Sequence, residues 1–290
     1  MKPPHEIENI EVDLFVQALR QRYGYGFEHY AKASLKRRLR NLKEYLDVPH
    51  LTTLLPRLLY DETLAQVVVN TITVQVSSFF RDPDVWRSLR QDILPRLGSY
   101  PMINIWQAGC SHGEETYSLL ILLKELGLLH KSHIFATDIN KESLAIARKG
   151  RWPKEKLIEW SENYAASGGS HSLSDYLSVE AADCMIDPEL RQRVDFMEHN
   201  LDQDDCFVEA QLVVCRNVLI YFDNTLQQKV IRLFYDSLQR GGTLVLGNAE
   251  NINHESLGTL FIPTHNEQRI FRRVMSEVSN CTGDETCTAQ

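Results

Sequence analysis

The sequence lacks every feature that would place it in a membrane or a secretory pathway. None of its apolar runs approaches the ~20 residues that a membrane-spanning helix requires, and the opening MKPPHEIENIEVD is polar and acidic, unlike a signal peptide. The six cysteines, at 110, 184, 206, 215, 281 and 287, form no C-x-x-C pair and no Cys/His cluster with zinc spacing. The expectation is a reduced, cytoplasmic chain with no structural metal. There is no excess of positive charge, since the formal net charge is -8, which argues against broad nucleic-acid binding. An Asn-Pro-Pro-Tyr-type motif is missing, as is a Gly-rich phosphate loop ending in Lys-Ser/Thr, and there is no G-x-G-x-x-G. Those absences count against nucleic-acid methyltransferases, P-loop enzymes and dinucleotide-dependent oxidoreductases. No internal repeat is visible.

Residues 103–123, INIWQAGCSHGEETYSLLILL, hold the clearest pattern that is present. A short apolar strand (Ile103 to Trp106) leads into a small-residue turn, and Glu114-Glu115 open a helix with an apolar stripe at Leu119, Leu120, Leu122 and Leu123. Strand, glycine turn and helix in that order form the first unit of a nucleotide-binding α/β sheet. Two acids at the helix start suit its dipole, but they would repel a pyrophosphate. A nucleotide carrying positive charge fits better, and S-adenosylmethionine is such a molecule. The alternative is a tight turn with dipole-matched acids and no ligand.

Upstream, residues 9 to about 70 read as four helices, the first capped by Asn9. The second has Leu35, Leu39, Leu42 and Leu46 at helical spacing and a basic face with Lys32, Lys36, Arg37, Arg38, Arg40 and Lys43. In an acidic chain that face is either solvated or a docking surface for an acidic partner. At Thr71 to Val76 the period changes, and a domain boundary is placed there. Phe79-Phe80-Arg81 follows, with Gln75, Ser77 and Ser78 nearby. Arg81 could reach a carboxylate with its planar fork, or it could bridge the domains as a salt bridge.

Downstream, residues 133–138 form a strand ending in Asp138, placed to accept from ribose hydroxyls or to cap the next helix. Residues 161–188 are turn-rich and read as an insertion, a small hairpin outside the main sheet. Another strand ends near Asn200. In residues 212–223, LVVCRNVLIYFD, a buried strand ends at Cys215 and sets Arg216-Asn217 at its carboxyl end, where open α/β sheets bind ligand. Tyr221 follows one turn later, as a site residue or as a structural tyrosine held by Asp223. Gly241-Gly242 marks a turn before a strand at residues 243–246; a final strand spans about 269–274, and a polar tail, 276–290, reads as disordered.

These motifs resemble the chemotaxis receptor methyltransferases, the CheR family. The resemblance rests on Phe79-Phe80-Arg81, on residues 109–118 (GCSHGEETYS), on Ala136-Thr137-Asp138 and on residues 215–222 (CRNVLIYF). It implies an α/β fold class: a small helical receptor-docking domain, residues 1–76, then a Rossmann-like methyltransferase domain, residues 77–275, with an inserted subdomain. It implies S-adenosylmethionine as methyl donor, S-adenosylhomocysteine as product, and glutamates of chemoreceptors as acceptors. Chemoreceptor cytoplasmic domains, acidic helical bundles, are the implied partners of a monomer that binds no nucleic acid and does not insert into the membrane. Cofactor contacts carry over to Gln75, Ser77, Arg81, Gly109, Glu115, Asp138, Asn200, Leu201, Arg216 and Asn217; catalytic roles fall to Arg81 and Tyr221; receptor docking falls to Lys36, Arg37, Arg38 and Arg40. The chain departs from the family pattern in Gln75 and Ser77, which stand for Asn and Thr, in Trp152, which stands for Tyr, and in Gly247-Asn248-Ala249-Glu250, which stands for Gly-His-Ser-Glu.

Overall fold

The computed structural model describes residues 4–250, 258 and 260–274. The expected tail and Cys281 and Cys287 lie outside the described residues.

The helical part comprises α1 (Pro4–Tyr23), α2 (Lys32–Tyr45), a 3-10 turn (Leu51–Leu54), α3 (Leu55–Tyr60) and α4 (Glu62–Ile72). Helix α1 starts earlier than the sequence suggests, so Asn9 lies inside it and is not its cap. Buried Phe15, Leu19, Leu35, Leu39, Leu58 and Val68 form one closed cluster. Their spacing explains why these segments are helices: each buries one stripe and leaves the rest to water. Asp61 caps α4 by accepting from Leu64 N.

After a strandless linker come α5 (Pro83–Ser88), a π turn (Leu89–Ile93) and α6 (Leu94–Leu97). The sequence suggests one regular helix here. Pro95 has no N–H to give to Gln91, and Leu94 N reaches back to Leu89 O instead, which widens the turn.

The central sheet contains β1 (Ile103–Ala108), β2 (Ser132–Asp138), β6 (Val194–Glu198), β7 (Ala210–Cys215), β8 (Leu238–Leu246), β9 (Phe261–His265) and β10 (Ile270–Arg273). Its order is β6-β2-β1-β7-β8-β10-β9. The first five strands are parallel, and β10 and β9 run antiparallel. Helices α7 (Glu114–Glu125), α8 (Lys141–Lys149), α10 (Pro188–Arg191) and α11 (Asn224–Ser237) connect the strands. Strands β1 and β7 are buried along almost their whole length because both faces of the sheet are covered. Successive strands are added outward on one side of β1 as β2 and β6 and then on the other as β7 and β8, so the order reverses between β1 and β7, the switch point at which such sheets open a crevice.

Strand β8 begins at Leu238, before the expected Gly241-Gly242 turn, and the glycines form an irregularity within it: its register against β7 jumps from Ala210–Leu238 to Leu212–Thr243. The inserted subdomain is also larger than a hairpin. Strands β3 (Arg151–Pro153), β4 (Leu177–Glu180) and β5 (Asp183–Ile186) make a separate antiparallel sheet in the order β3-β5-β4. Helix α9 (Leu157–Ala166) spans the expected start of the insertion. Aromatic contacts of Phe79 with Trp152 and Trp160, and of Phe80 with Tyr164, fasten this subdomain to the core.

Candidate active site

A cleft with about 880 Å³ of empty space, open mouth included, lies over the carboxyl ends of β1, β2 and β7. The sheet forms one wall: Gly109 and Ser111 after β1, Glu115 on α7, Asp138 at the end of β2, residues 199–202 after β6, and Arg216, Asn217, Val218 and Tyr221 after β7. The helical part forms the other with Tyr30, Ile72, Thr73 and Val74. Ala31 N donates to Tyr221 O at 2.7 Å, Asp223 N donates to His29 O at 2.7 Å, and His29 Nδ1 meets Asp223 Oδ2 at 3.0 Å. Asn140 Nδ2 donates to Asn70 Oδ1 and Thr73 Oγ1, each at 2.9 Å. The cleft is therefore built from both halves of the chain.

The turn after β1 is held from beneath. Asp138 accepts from Ser111 N at 2.8 Å and from Asn140 N at 2.9 Å. Asn140, not Asp138, caps α8 by accepting from Ser143 N. Burial raises the Asp138 carboxyl above the usual carboxylate range, and those backbone N–H groups oppose the rise. Gly109 has φ +71°, and a Cβ there would lie 2.3 Å from Val218 Cγ2, so no other residue fits. Phe80, Asp82, Ser111 and Asn217 also hold positive φ without being glycine. All four are lining residues or neighbours of one, and such strain gathers at functional sites.

Behind the α7 start lies a buried ion cluster. Arg216 donates from Nη1 to Glu115 Oε1 and from Nη2 to Asp82 Oδ2, the latter at 2.6 Å. Burial raises the Glu115 carboxyl; Arg216 and then Arg81 pull it back down. Neighbouring Glu114 is pushed up to about 7, chiefly by burial. Arg81 is gripped on both sides: Phe80 is buried, and Trp86 Nε1 donates to the Arg81 carbonyl at 2.8 Å. Among the described residues its guanidinium forms no hydrogen bond or ion pair, so the domain-bridging salt bridge is not formed. Tyr221 has no link to Asp223 either, because Asp223 caps α11 and pairs with His29. Burial raises the Tyr221 phenol, while Arg38, Arg81 and Arg37 lower it.

Ten of the eleven expected site residues line this one cleft: Ser77, Arg81, Gly109, Glu115, Asp138, Asn200, Leu201, Arg216, Asn217 and Tyr221. Gln75 does not; Val74 and Val76 take the lining positions beside it, and its Nε2 is buried with no hydrogen-bond partner among the described residues. The basic face of α2 divides. Arg40 forms a forked pair with Glu8 at 2.8 Å, and Arg38 donates to Thr71 O at 3.3 Å. Lys36 lines a separate surface groove with Val12, Asp13 and Leu35. Arg37 is exposed, with no ion pair among the described residues. Sequence reasoning missed Tyr30, His199 and Asp202, which line the cleft, and Asp82, which braces it; it placed the turn of residues 247–250 at the site but gave Glu250, which also braces the cleft, no role. The fixed left-handed backbone and the buried Ser111 Oγ and Asn217 Oδ1, which have no hydrogen-bond partner among the described residues, set between carboxylates, suit a polar nucleoside with a positively charged tail.

Family comparison agrees with this geometry. Residues 10–73 match the CheR methyltransferase all-alpha domain and residues 75–266 the CheR methyltransferase SAM binding domain. The Cher3 protein of Pseudomonas putida is 40% identical over 91% of this chain and 97% of its own length. The chemotaxis protein methyltransferase of Listeria innocua is 32% identical over 85% and 92%, and that of Escherichia coli 32% over 65% and 65%. Among solved structures, the N-methyltransferase NodS of Bradyrhizobium japonicum in complex with S-adenosylhomocysteine is 16% identical, covering 67% of this chain and 94% of its own, with a TM-score of 0.36. The chain belongs to the CheR methyltransferase family and uses S-adenosylmethionine as its methyl donor.

Proposed function

We propose that this chain transfers a methyl group from S-adenosylmethionine to glutamate side chains of chemoreceptors, forming glutamate 5-O-methyl esters. The observation that carries the reading is that Arg81, whose guanidinium forms no hydrogen bond or ion pair among the described residues, lines the cleft together with Tyr221, with Arg37 and Arg38 of α2 near enough to influence that phenol. In a chain of net charge -8, cations converging on one opening favour an acidic acceptor.

S-adenosylmethionine supplies an electrophilic methyl on a positively charged sulfur. A glutamate carboxylate is ionised at neutral pH, so no side chain here has to remove a proton. Arg81 and Tyr221 orient the entering carboxylate through charge and hydrogen bonding. Glu115 would hold the ammonium of the donor's amino-acid portion, with Arg216 fixing its rotamer and Arg216-Asn217 closing that end. Asp138 would take the ribose hydroxyls, Asn200 and Leu201 would border the base, and Gln75 and Ser77 would stand at the linker side. Gly109 lets the backbone approach. An anion and a cation become two neutral groups, so a cleft walled by Ile72, Val218, Phe222 and Leu226 favours the reaction by excluding water.

On this reading residues 1–76 dock on the receptor's helical bundle through Lys36, Arg37, Arg38 and Arg40. Residues 77–275 perform the transfer, and the chain acts as a monomer in the cytoplasm, where the receptor's signalling domain lies. The test uses tritiated donor with receptor-bearing membranes of the host. Base-labile label on receptors is expected, falling about tenfold or more in Arg81→Ala and Tyr221→Phe. Base-stable label, or parent rates in both variants, would refute the assignment.

A further inference from the structure

Glu250 is 1% exposed and none of the steps above uses it. Its Oε1 accepts from Val218 N at 3.0 Å and from Leu219 N at 3.2 Å, and its Oε2 accepts from Gly247 N. The first two amides belong to the segment leaving β7, which carries Arg216, Asn217 and Tyr221 into the cleft. The third belongs to the loop leaving β8. Gly247 is the contact between the loops: a Cβ there would lie 2.6 Å from Glu250 Oε2 and 2.8 Å from Asn217 N. Asn217 itself sits at φ +60°, a conformation that its neighbours must enforce.

We propose that Glu250 is a positioning residue for methyl transfer: its carboxylate clamps the backbone of residues 217–219 against the β8 loop, and so sets the place of Asn217 and Tyr221. Three converging N–H groups call for an acceptor with no proton of its own. An ionised carboxylate meets all three. A protonated one has lost its negative charge and carries a hydrogen on one oxygen, so the three amides exchange charge-assisted hydrogen bonds for weaker neutral ones in a dry site.

Among the described residues, the titratable and charged groups facing this carboxylate are Cys215 and Arg216 at the end of β7 and Tyr221 on the 3-10 turn. Burial raises Glu250 to about 6 against the pull of its amides and Arg216. A carboxyl raised on folding takes up a proton in the folded state, so acidification through this range does not itself unfold the chain. It releases the clamp while the fold persists.

The inference rests on the receptor-carboxylate reading only for its kinetic arm. That arm follows methylation of receptor membranes from pH 5.5 to 8 by the parent and by Glu250→Gln. The glutamine keeps the volume but turns an NH₂ toward one N–H. The expected result is a kcat roughly tenfold lower at pH 7.5, the effect of one buried amide losing its acceptor, with KM for the membranes unchanged. The parent's fall in kcat near pH 6 should disappear in the variant, whereas the titration of Glu114 persists in both. Hydrogen exchange decides independently of the acceptor. Protection of the Val218, Leu219 and Gly247 amides should drop about tenfold in the variant at pH 7.5, and in the parent as pH falls below 6. Unchanged protection of these amides, or a variant with the parent's kcat and acid limb, would overturn the proposal.

Discussion

Replacing Arg216 by Met removes the guanidinium and keeps most of the volume. The Arg216 side chain is 1% exposed and that of Glu115 9%, so the carboxylate would be left as an uncompensated buried charge. Breaking such a pair costs about 3–5 kcal/mol, roughly a 10 °C fall in Tm for a chain of this size. Burial already holds the Glu115 carboxyl above its ordinary range, and loss of Arg216 lifts it further. A carboxyl whose folded pKa exceeds its unfolded one binds an extra proton when folded, so its stability contribution is lost as pH rises through that interval. The penalty in the variant should therefore be largest near pH 8 and shrink toward the ~4.3 of a free glutamate. On the proposed reading the ammonium of the bound product loses a charged partner as Glu115 neutralises, so affinity for S-adenosylhomocysteine should fall about 10- to 100-fold at pH 7. Urea melts at pH 5.5, 7 and 8, with calorimetric titrations of the product, measure both effects. A penalty below about 1 kcal/mol, or one independent of pH, would refute the description of this cluster.

The remaining predictions concern docking and the cradle. Arg37→Glu should raise KM for receptor membranes several-fold, more at low salt than at high, and leave product affinity unchanged; an equal loss of product affinity would remove the docking role. Arg40→Glu should affect receptor KM less, because Arg40 is already engaged by Glu8; a larger effect than Arg37→Glu would count against this assignment. Gly109→Ala should abolish detectable product binding while the chain stays folded by circular dichroism, since its Cβ meets Val218 and its φ is left-handed; parent-like affinity would contradict the close approach.

The parts of the site that follow regular elements were legible in the sequence. Gly109, Glu115, Asp138, Arg216 and Asn217 stand at the ends of apolar strands or the start of a helix, and periodicity locates such positions. Glu250 and Asp82 were harder because each lies in an aperiodic turn and acts through partners far away in sequence. Tyr30 reads as ordinary core until the helical part is packed against the sheet. The basic face of α2 was visible as composition, but only packing shows that Glu8 occupies Arg40, that Thr71 holds Arg38, and that Arg37 has no ion pair among the described residues. The fold was read less well where local signals mislead: Gly241-Gly242 looks like a turn yet lies inside β8, and the short β3 falls in a stretch of charged residues with no strand period.

A calorimetric titration of S-adenosylhomocysteine into the purified chain, repeated with Asp138→Ala, tests most directly whether the cleft between the helical part and the parallel sheet holds the cofactor. The account predicts saturable binding of one product per chain, lost or severely weakened in the variant. No heat of binding with the parent, or equal affinity in the variant, would contradict it.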